Sequence, residues 1–494
     1  MRQSKQPFPK NRKDRYRMKF WFITGSQFLY GEETLRQVEE DSKKIVDGLD
    51  LPFPVEYKLT VKTESEIERV IREANYDDEC AGIITFCHTF SPSKMWINGL
   101  ALLQKPWLHF HTQFNETIPN EAIDMDYMNL HQSAHGDREH GFIGARLRMP
   151  RAVVAGHWKD KKVQAKIAEW QRAAVGVMFS RSLKIVRFGD NMREVAVTEG
   201  DKIEAQLKLG WQVNTFAVGD LVECMNSVTD AEIDALMKEY AELYDYDKSD
   251  EETIRYQARE EIAIEKILVR EGAKAFSNTF EDLHGMRQLP GLATQHLMYK
   301  GYGFGAEGDW KTAGMTAVVK AMYPDGNTSF MEDYTYDYKH ELILGSHMLE
   351  VCPSIAADKP RIEVHHLGIG GKEDPARIVF EGRAGSAKAL SLIDIGGRLR
   401  LISQDVECEK PFQSMPNLPV ARTMWKPAPS FLEGLECWII AGGAHHTVLS
   451  YDITDETVRD FARIMGIELV VINKDTTKDK LERDIMLGDM IYGR

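Results

Sequence analysis

Glu307, Glu332 and His347 stand in one glycine- and aromatic-rich stretch, Gly301 to His347, and His445 and His446 follow Gly442-Gly443-Ala444 near the C-terminus. None of these residues sits in the charged pattern of an ordinary solvated helix face. Carboxylate oxygen and imidazole nitrogen form the ligand mixture that a divalent cation accepts, and the same carboxylates are candidates for general acid-base work. Glu307, Glu332, His347 and His446 are separated by 25, 15 and 99 residues. No single helix or turn spans such intervals, so the fold has to bring the ligands together. If the histidine pair is extended, its rings point to opposite faces and only one of them can ligate.

Other motifs compete for attention. Gly303-Phe-Gly305-Ala-Glu-Gly308 satisfies the G-x-G-x-x-G pattern, but that fingerprint needs a strand before the glycines, and Leu292 to Lys300 reads as helix. Gly368-Ile-Gly370-Gly371-Lys372 lacks the full spacing of a phosphate loop and its following Ser or Thr. Residue chemistry alone therefore leaves three readings open: a metal-dependent enzyme, a nucleotide-dependent oxidoreductase, and a binding protein without turnover.

The elements that must position these residues change character along the chain. Met18 to Thr24, Val55 to Val61, Ala81 to Phe86 and Trp107 to His111 read as strands alternating with helical segments, which implies a parallel sheet covered on both faces. Ligands of such sheets bind at the carboxyl ends of the strands, which places Gln27, Leu29, Tyr30, His88, Phe90 and His111 near a cleft. Asp124 to Arg148, with His135, reads as a long irregular connection. Leu183 to Phe188 opens a second α/β region. Beyond Ser329, short strand-like runs, among them Trp438 to Ala441, are punctuated by Gly and Pro as in an antiparallel sheet or barrel. The expected division is a basic extension at 1–17, an N-terminal α/β domain at 18–182, a central α/β domain at 183–328 and a β-rich domain at 329–494.

With 494 residues the chain exceeds one core, at about 150 residues per domain. Its 62 basic and 76 acidic residues, net charge -14, argue against a nucleic-acid partner. No apolar run reaches the ~18 residues of a membrane helix. Six cysteines without a C-x-x-C pair read as reduced thiols of a cytoplasmic protein.

Several long segments carry a resemblance: Gly25-Ser-Gln-Phe-Leu-Tyr-Gly31, His88-Thr-Phe-Ser-Pro92, Lys94-Met-Trp-Ile-Asn-Gly99, Arg187-Phe-Gly-Asp-Asn-Met-Arg-Glu-Val195, Glu307-Gly-Asp-Trp-Lys311, Gly345-Ser-His-Met-Leu-Glu-Val-Cys-Pro353 and Gly442-Gly-Ala-His-His-Thr447. From Phe20 onward the chain resembles the L-arabinose isomerases, bacterial aldose-ketose isomerases. The resemblance implies two Rossmann- or flavodoxin-like α/β domains followed by a β-rich, antiparallel barrel-like domain. It implies conversion of L-arabinose to L-ribulose through a cis-enediol, with D-galactose to D-tagatose as a side activity. It also implies a Mn2+ site, open to Co2+, made by Glu307, Glu332, His347 and His446, with the two glutamates moving protons. Sugar contacts are implied for Gln27, Leu29, Phe90, Met192, Phe280 and Ile369, with His135 reaching in from a neighbouring subunit of a hexamer built from trimers.

Overall fold

The computed structural model of the chain describes residues 18–492; the basic extension expected at 1–17 lies outside them. The described residues form two compact units, one of 18–178 with 456–464 and one of 179–455 with 465–492.

In the first unit β1 (Lys19–Gly25), β2 (Val55–Val61), β3 (Cys80–Cys87), β4 (Trp107–His111) and β5 (Ala152–Ala155) form an all-parallel sheet in the order β2-β1-β3-β4-β5. The unbroken apolar run of β1 follows from coverage on both faces. Phe20 and Phe22 pack with Trp170 on one side, while Trp21 and Ile23 pack with Ile67, Ile71 and Trp96 on the other. The connection expected to be irregular at 124–148 is instead two helices, Met125–Leu130 and Ser133–Arg146. Its glycines serve close packing: a Cβ on Gly136 would lie 2.2 Å from the Thr89 carbonyl oxygen, and one on Gly144 2.8 Å from the Trp107 ring. That use of glycine looks like loop punctuation in a sequence.

The second unit opens with a four-stranded parallel sheet of β6 (Lys184–Phe188), β7 (Gln212–Phe216), β8 (Ala275–Asn278) and β9 (Gly303–Gly305), in the order β7-β6-β8-β9. Gly303 and Gly305 are themselves the edge strand, so they do not form a nucleotide loop after one. A Cβ at either would collide with the helix Trp310–Met322, at 2.2 Å from the Ala313 carbonyl or 2.3 Å from that of Asp309. This close approach lets the helix bury all thirteen of its residues. Its N-terminus is closed by Asp309, whose carboxylate accepts from the amides of Lys311 and Thr312, both at 3.2 Å, and from the Thr312 hydroxyl at 2.7 Å. The site where a pyrophosphate would dock is thereby filled.

The helix leads into β10 (Thr328–Asp337) and β11 (Leu342–Ser346), then β12 (Arg361–Val364) and β13 (Ala376–Val379), which pair with each other. β14 (Gly385–Asp394), β15 (Leu399–Glu409), β16 (Arg422–Pro427) and β17 (His446–Ser450) complete an antiparallel sheet, β14-β17-β10-β11-β16-β15, closed into a barrel by β14 pairing with β15. β18 (Glu468–Ile472) adds in parallel to β15. Two parallel α/β sheets and a closed antiparallel sheet agree with the expected fold class. One local expectation fails: the run Trp438 to Ala441 is the end of the helix Phe431–Ala441, terminated by left-handed Gly442 (φ 84°). A short apolar run does not separate strand from buried helix. No helix among the described residues is long and apolar enough to cross a membrane.

Candidate active site

Glu307 leaves β9 in the left-handed backbone region (φ 59°), and Gly308 follows in the same region (φ 77°). For a residue with a side chain this costs about 1–2 kcal/mol. Both flanks hold it: the Met192 amide donates to the Glu307 carbonyl at 2.9 Å, and the Gly308 amide to that of Asn278 at 3.0 Å. A Cβ on Gly308 would stand 2.5 Å from backbone atoms of Asp190 and Asn191. The turn thus depends on glycine.

The barrel register delivers the other groups. Glu332 of β10 pairs with Ser346 of β11 on one side and with His446 of β17 on the other. His347 is the first residue past β11. Three neighbouring strands therefore place one carboxylate between two imidazoles. Glu332 Oε2 lies 3.7 Å from His347 Nε2, and Glu307 Oε2 lies 3.8 Å from His446 Nε2. Ligand atoms of Glu307, His347 and His446 fall within 4.8 Å of one another, and so do those of Glu332, His445 and His446. Phe330, fully buried, packs edge-on beneath both rings, with centroids 5.0 Å from His347 and 5.1 Å from His446.

Each imidazole has a carboxylate behind it. His446 Nδ1 bonds Asp309 Oδ2 at 3.2 Å, the same carboxylate that caps the helix, and His347 Nδ1 bonds Glu350. Each ring thus turns its Nε2 towards a glutamate. His446 Nε2 is buried and has no hydrogen-bond partner among the described residues. An orphaned ring nitrogen, oriented by a carboxylate on the ring's other nitrogen and facing further carboxylates, is the donor arrangement that a metal-binding histidine adopts. Asp309 and Glu350 are missing from the expected set, although both fall inside segments that carry the resemblance. The available signal was a second carboxylate two residues after Glu307 and three after His347.

The electrostatics follow from this crowding. Burial opposes a charged His347, but the Glu350 carboxylate, helped by Glu332 and Glu307, outweighs it and pushes the pKa up to about 9. Burial would raise Glu307, yet His445, His446 and His347 hold it below the usual carboxylate range. Burial likewise works against Asp309, and the Lys311 and His446 neighbours overcome it, leaving the carboxyl well below its ordinary value. On the next residue after Glu332, burial together with the Glu332 charge pushes Asp333 up to about 7.

His445 and His446 are not an extended pair. His445 Nε2 lies 3.7 Å from Glu307 Oε2, and its ring centroid is 4.3 Å from that of His446. Both rings therefore reach the same carboxylate. Strand alternation governs only from His446, where β17 begins; His445 belongs to the turn after Gly442, so the opposite-face rule does not apply to it.

Of the expected sugar contacts in this unit, Met192 is tied to the Glu307 backbone, and Phe280 follows the segment whose Asn278 carbonyl holds Gly308. Ile369 stands on a separate loop, 41% exposed and fastened where Lys372 Nζ donates to the carbonyls of Leu283 and Met286. In the other unit, four expected contacts converge on one patch. Gln27 Nε2 donates to the Tyr30 hydroxyl at 3.3 Å, Gln132 Nε2 to the same oxygen at 3.1 Å, Gln132 Oε1 meets His135 Nδ1 at 3.2 Å, and His135 lies against Phe90 with centroids 4.6 Å apart. Leu29, 79% exposed, belongs to the same short turn, Phe28–Tyr30. Two other residues expected near this cleft are structural: His88 bonds Asp41 and the Leu130 carbonyl, and His111 bonds Asp137.

Comparison with known proteins converges with this geometry. Models of the N-terminal, central and C-terminal domains of L-arabinose isomerase match residues 14–182, 184–325 and 327–468. L-arabinose isomerase 1 of Bacillus licheniformis is 56% identical over 480 residues, 96% of this chain and 97% of that one. The chain belongs to the L-arabinose isomerase family. Other members of the family stand at similar distance: the L-arabinose isomerase of Anoxybacillus flavithermus is 56% identical over 487 residues, and that of Geobacillus stearothermophilus 55% over 485, each across 96% of this chain and 97% or 98% of the relative. The matches run over 97% or 98% of these relatives and include the segments that carry the clustered carboxylates and imidazoles.

Proposed function

We propose that the protein converts L-arabinose to L-ribulose, with D-galactose to D-tagatose as a side activity, at the cluster of Glu307, Glu332, His347 and His446. The reading is carried by the buried His446 Nε2, which has no hydrogen-bond partner among the described residues and faces Glu307 while Asp309 holds the opposite ring nitrogen. Two carboxylates and two imidazoles fit Mn2+, with Co2+ as a substitute, and leave positions for sugar oxygens. When bound, the cation supplies Lewis acidity for the charge that develops on the substrate oxygens.

The residues of the chain do the rest. Interconverting an aldose and a ketose moves one proton between C1 and C2 and another between O1 and O2, by way of a cis-enediol. Glu307 and Glu332 are the proton carriers: one takes the carbon-bound proton from C2 and returns it at C1, and the other moves the oxygen-bound proton. Glu307 is held ionised by its imidazole neighbours, so it can accept. Such acid-base assistance contributes about 10²- to 10⁴-fold. Met192, Phe280 and Ile369 of one unit offer apolar side chains for the C–H face of a sugar; in the other unit Leu29 and Phe90 offer the same chemistry, and Gln27 a polar end.

His135 and Phe90 touch within one chain. A contribution of His135 to a neighbour's site therefore brings Phe90 with it, and the proposed hexamer of two trimers shares its sites through this patch. The six cysteines, all free thiols, suit a cytoplasmic enzyme.

The test is ketose formation from both sugars by metal-stripped protein before and after Mn2+ is restored. Activity should vanish and return, and Glu307→Gln and Glu332→Gln should each lose at least about 10²-fold in kcat. Full turnover in stripped protein, or in either variant, would overturn the assignment.

A further inference from the structure

The first unit holds a second cluster of titratable groups, which the proposed chemistry does not use. Asp137 is the fifth residue of the helix Ser133–Arg146 and is 2% exposed. Its carboxylate accepts from three donors on two neighbouring parallel strands: the Cys87 amide at 2.9 Å, His109 Nε2 at 3.0 Å and His111 Nδ1 at 3.0 Å. Below it, His140 Nε2 lies 3.0 Å from Thr85 Oγ1, which accepts from Trp107 Nε1 at 2.8 Å. Beside it, Gly136 brings the helix so close to the Thr89 carbonyl that no side chain fits between them. The effect of Asp137 on a neighbour is visible at His111, which its hydrogen bond lifts above the usual imidazole range despite burial.

This fastening is out of proportion for a surface helix on a sheet, and the residues it fixes are telling. His135 stands two residues before Asp137, in the first turn of the helix, exposed, with its ring against Phe90 and its Nδ1 on Gln132. Phe90 follows the strand whose last residue, Cys87, donates to Asp137. One buried carboxylate thus ties together the backbone segments that carry both rings.

We propose that Asp137 is a positioning residue for the isomerisation: it locks the N-terminal end of the helix Ser133–Arg146 to β3 and β4 and so sets His135 against Phe90 on the face presented to the sugar. The inference rests on the reading of His135 and Phe90 as sugar contacts. Asp137 itself lies beneath that face and acts through His135. A merely structural aspartate would lower the amount of folded protein without changing how the remainder binds sugar.

The experiment uses the full chain with Mn2+ and compares wild type, Asp137→Asn and Asp137→Ala, each alone and combined with His135→Ala. Amide hydrogen exchange over residues 131–137 and KM and kcat for L-arabinose are read in parallel. Asp137→Ala is expected to speed exchange in the first turn and to raise KM about tenfold, the scale of one charge-assisted hydrogen bond, with kcat retained. Asp137→Asn, which still offers an acceptor to Cys87, should be intermediate. In the His135→Ala background the KM rise should disappear, because the path to the sugar is already cut. Unchanged exchange overturns the anchor, while an equal KM rise with and without His135, or a loss confined to kcat, overturns the positioning role. Absence of arabinose turnover in wild type would instead remove the proposed function, and the exchange comparison would still decide whether Asp137 is the anchor.

Discussion

At the scale of single residues, the decisive groups are the carboxylates behind the imidazoles. Asp309 serves two masters, the helix N-terminus and His446 Nδ1. Asp309→Asn keeps an acceptor for the helix amides but no longer holds the ring with a charge. It should weaken Mn2+ binding about 10- to 100-fold, as outer partners of metal-binding histidines do, which a metal titration would measure. His347 adds a pH dependence. Its pKa of about 9 means that the metal-free ring is protonated at neutral pH, and a ligand must be neutral, so Mn2+ affinity should rise about tenfold per pH unit until about pH 9. The sign for folding without metal is the reverse. A raised imidazole pKa stabilises fully below the ordinary value of 6.5 and loses that contribution as pH rises through about 9, so metal-free protein should unfold more readily at pH 9 than at pH 6. Flat affinity between pH 6 and 9 would contradict the assignment of His347.

At the scale of elements, the helix Trp310–Met322 and the strand β9 act as one unit. The two glycines of β9 exist so that this helix can lie close, which places Asp309 under His446 and lets the turn at Glu307 and Gly308 close above. Gly305→Ala would put a methyl 2.3 Å from the Asp309 carbonyl. It should cost about 1–3 kcal/mol in stability and also degrade metal binding. Gly219 is the contrast: it lies in the helix Val218–Asn226 with nothing within 4 Å of its added Cβ. Gly219→Ala should stabilise by about 0.5–1 kcal/mol and leave metal binding alone. Thermal unfolding and a metal titration on both variants separate a packing requirement from simple helix propensity.

At the scale of the whole molecule, the expected site residues fall into two sets. Glu307, Glu332, His347 and His446 belong to the unit of 179–455, while Gln27, Leu29, Phe90 and His135 form one patch of the unit of 18–178. If copies share sites in a hexamer, each set can be complemented by another chain. Mixing and reassembling Glu307→Gln with His135→Ala protein should then restore more activity than either variant shows alone. Activity no greater than the sum of the separate variants would indicate that each chain works by itself.

The residue types for the chemistry, the α/β alternation and the turn to short strands after Ser329 were all legible in the chain, because periodicity and ligand chemistry are local properties. The long matching segments carried the family. The connection at 124–148 and the run Trp438 to Ala441 prove helical where the sequence reads otherwise, for one reason: close approach and burial on all sides depend on neighbours far away in sequence. Asp309 and Glu350 show the same divide in the site. Both are ordinary carboxylates in the sequence, and only the pairing of β10 with β11 and β17, together with the seat of the helix on β9, turns one into the support of His446 and the other into that of His347. Thus the sequence by itself determined which atoms could hold a metal and move protons. Tertiary structure decided which of them meet, because register and helix packing set the few ångströms on which ligation depends.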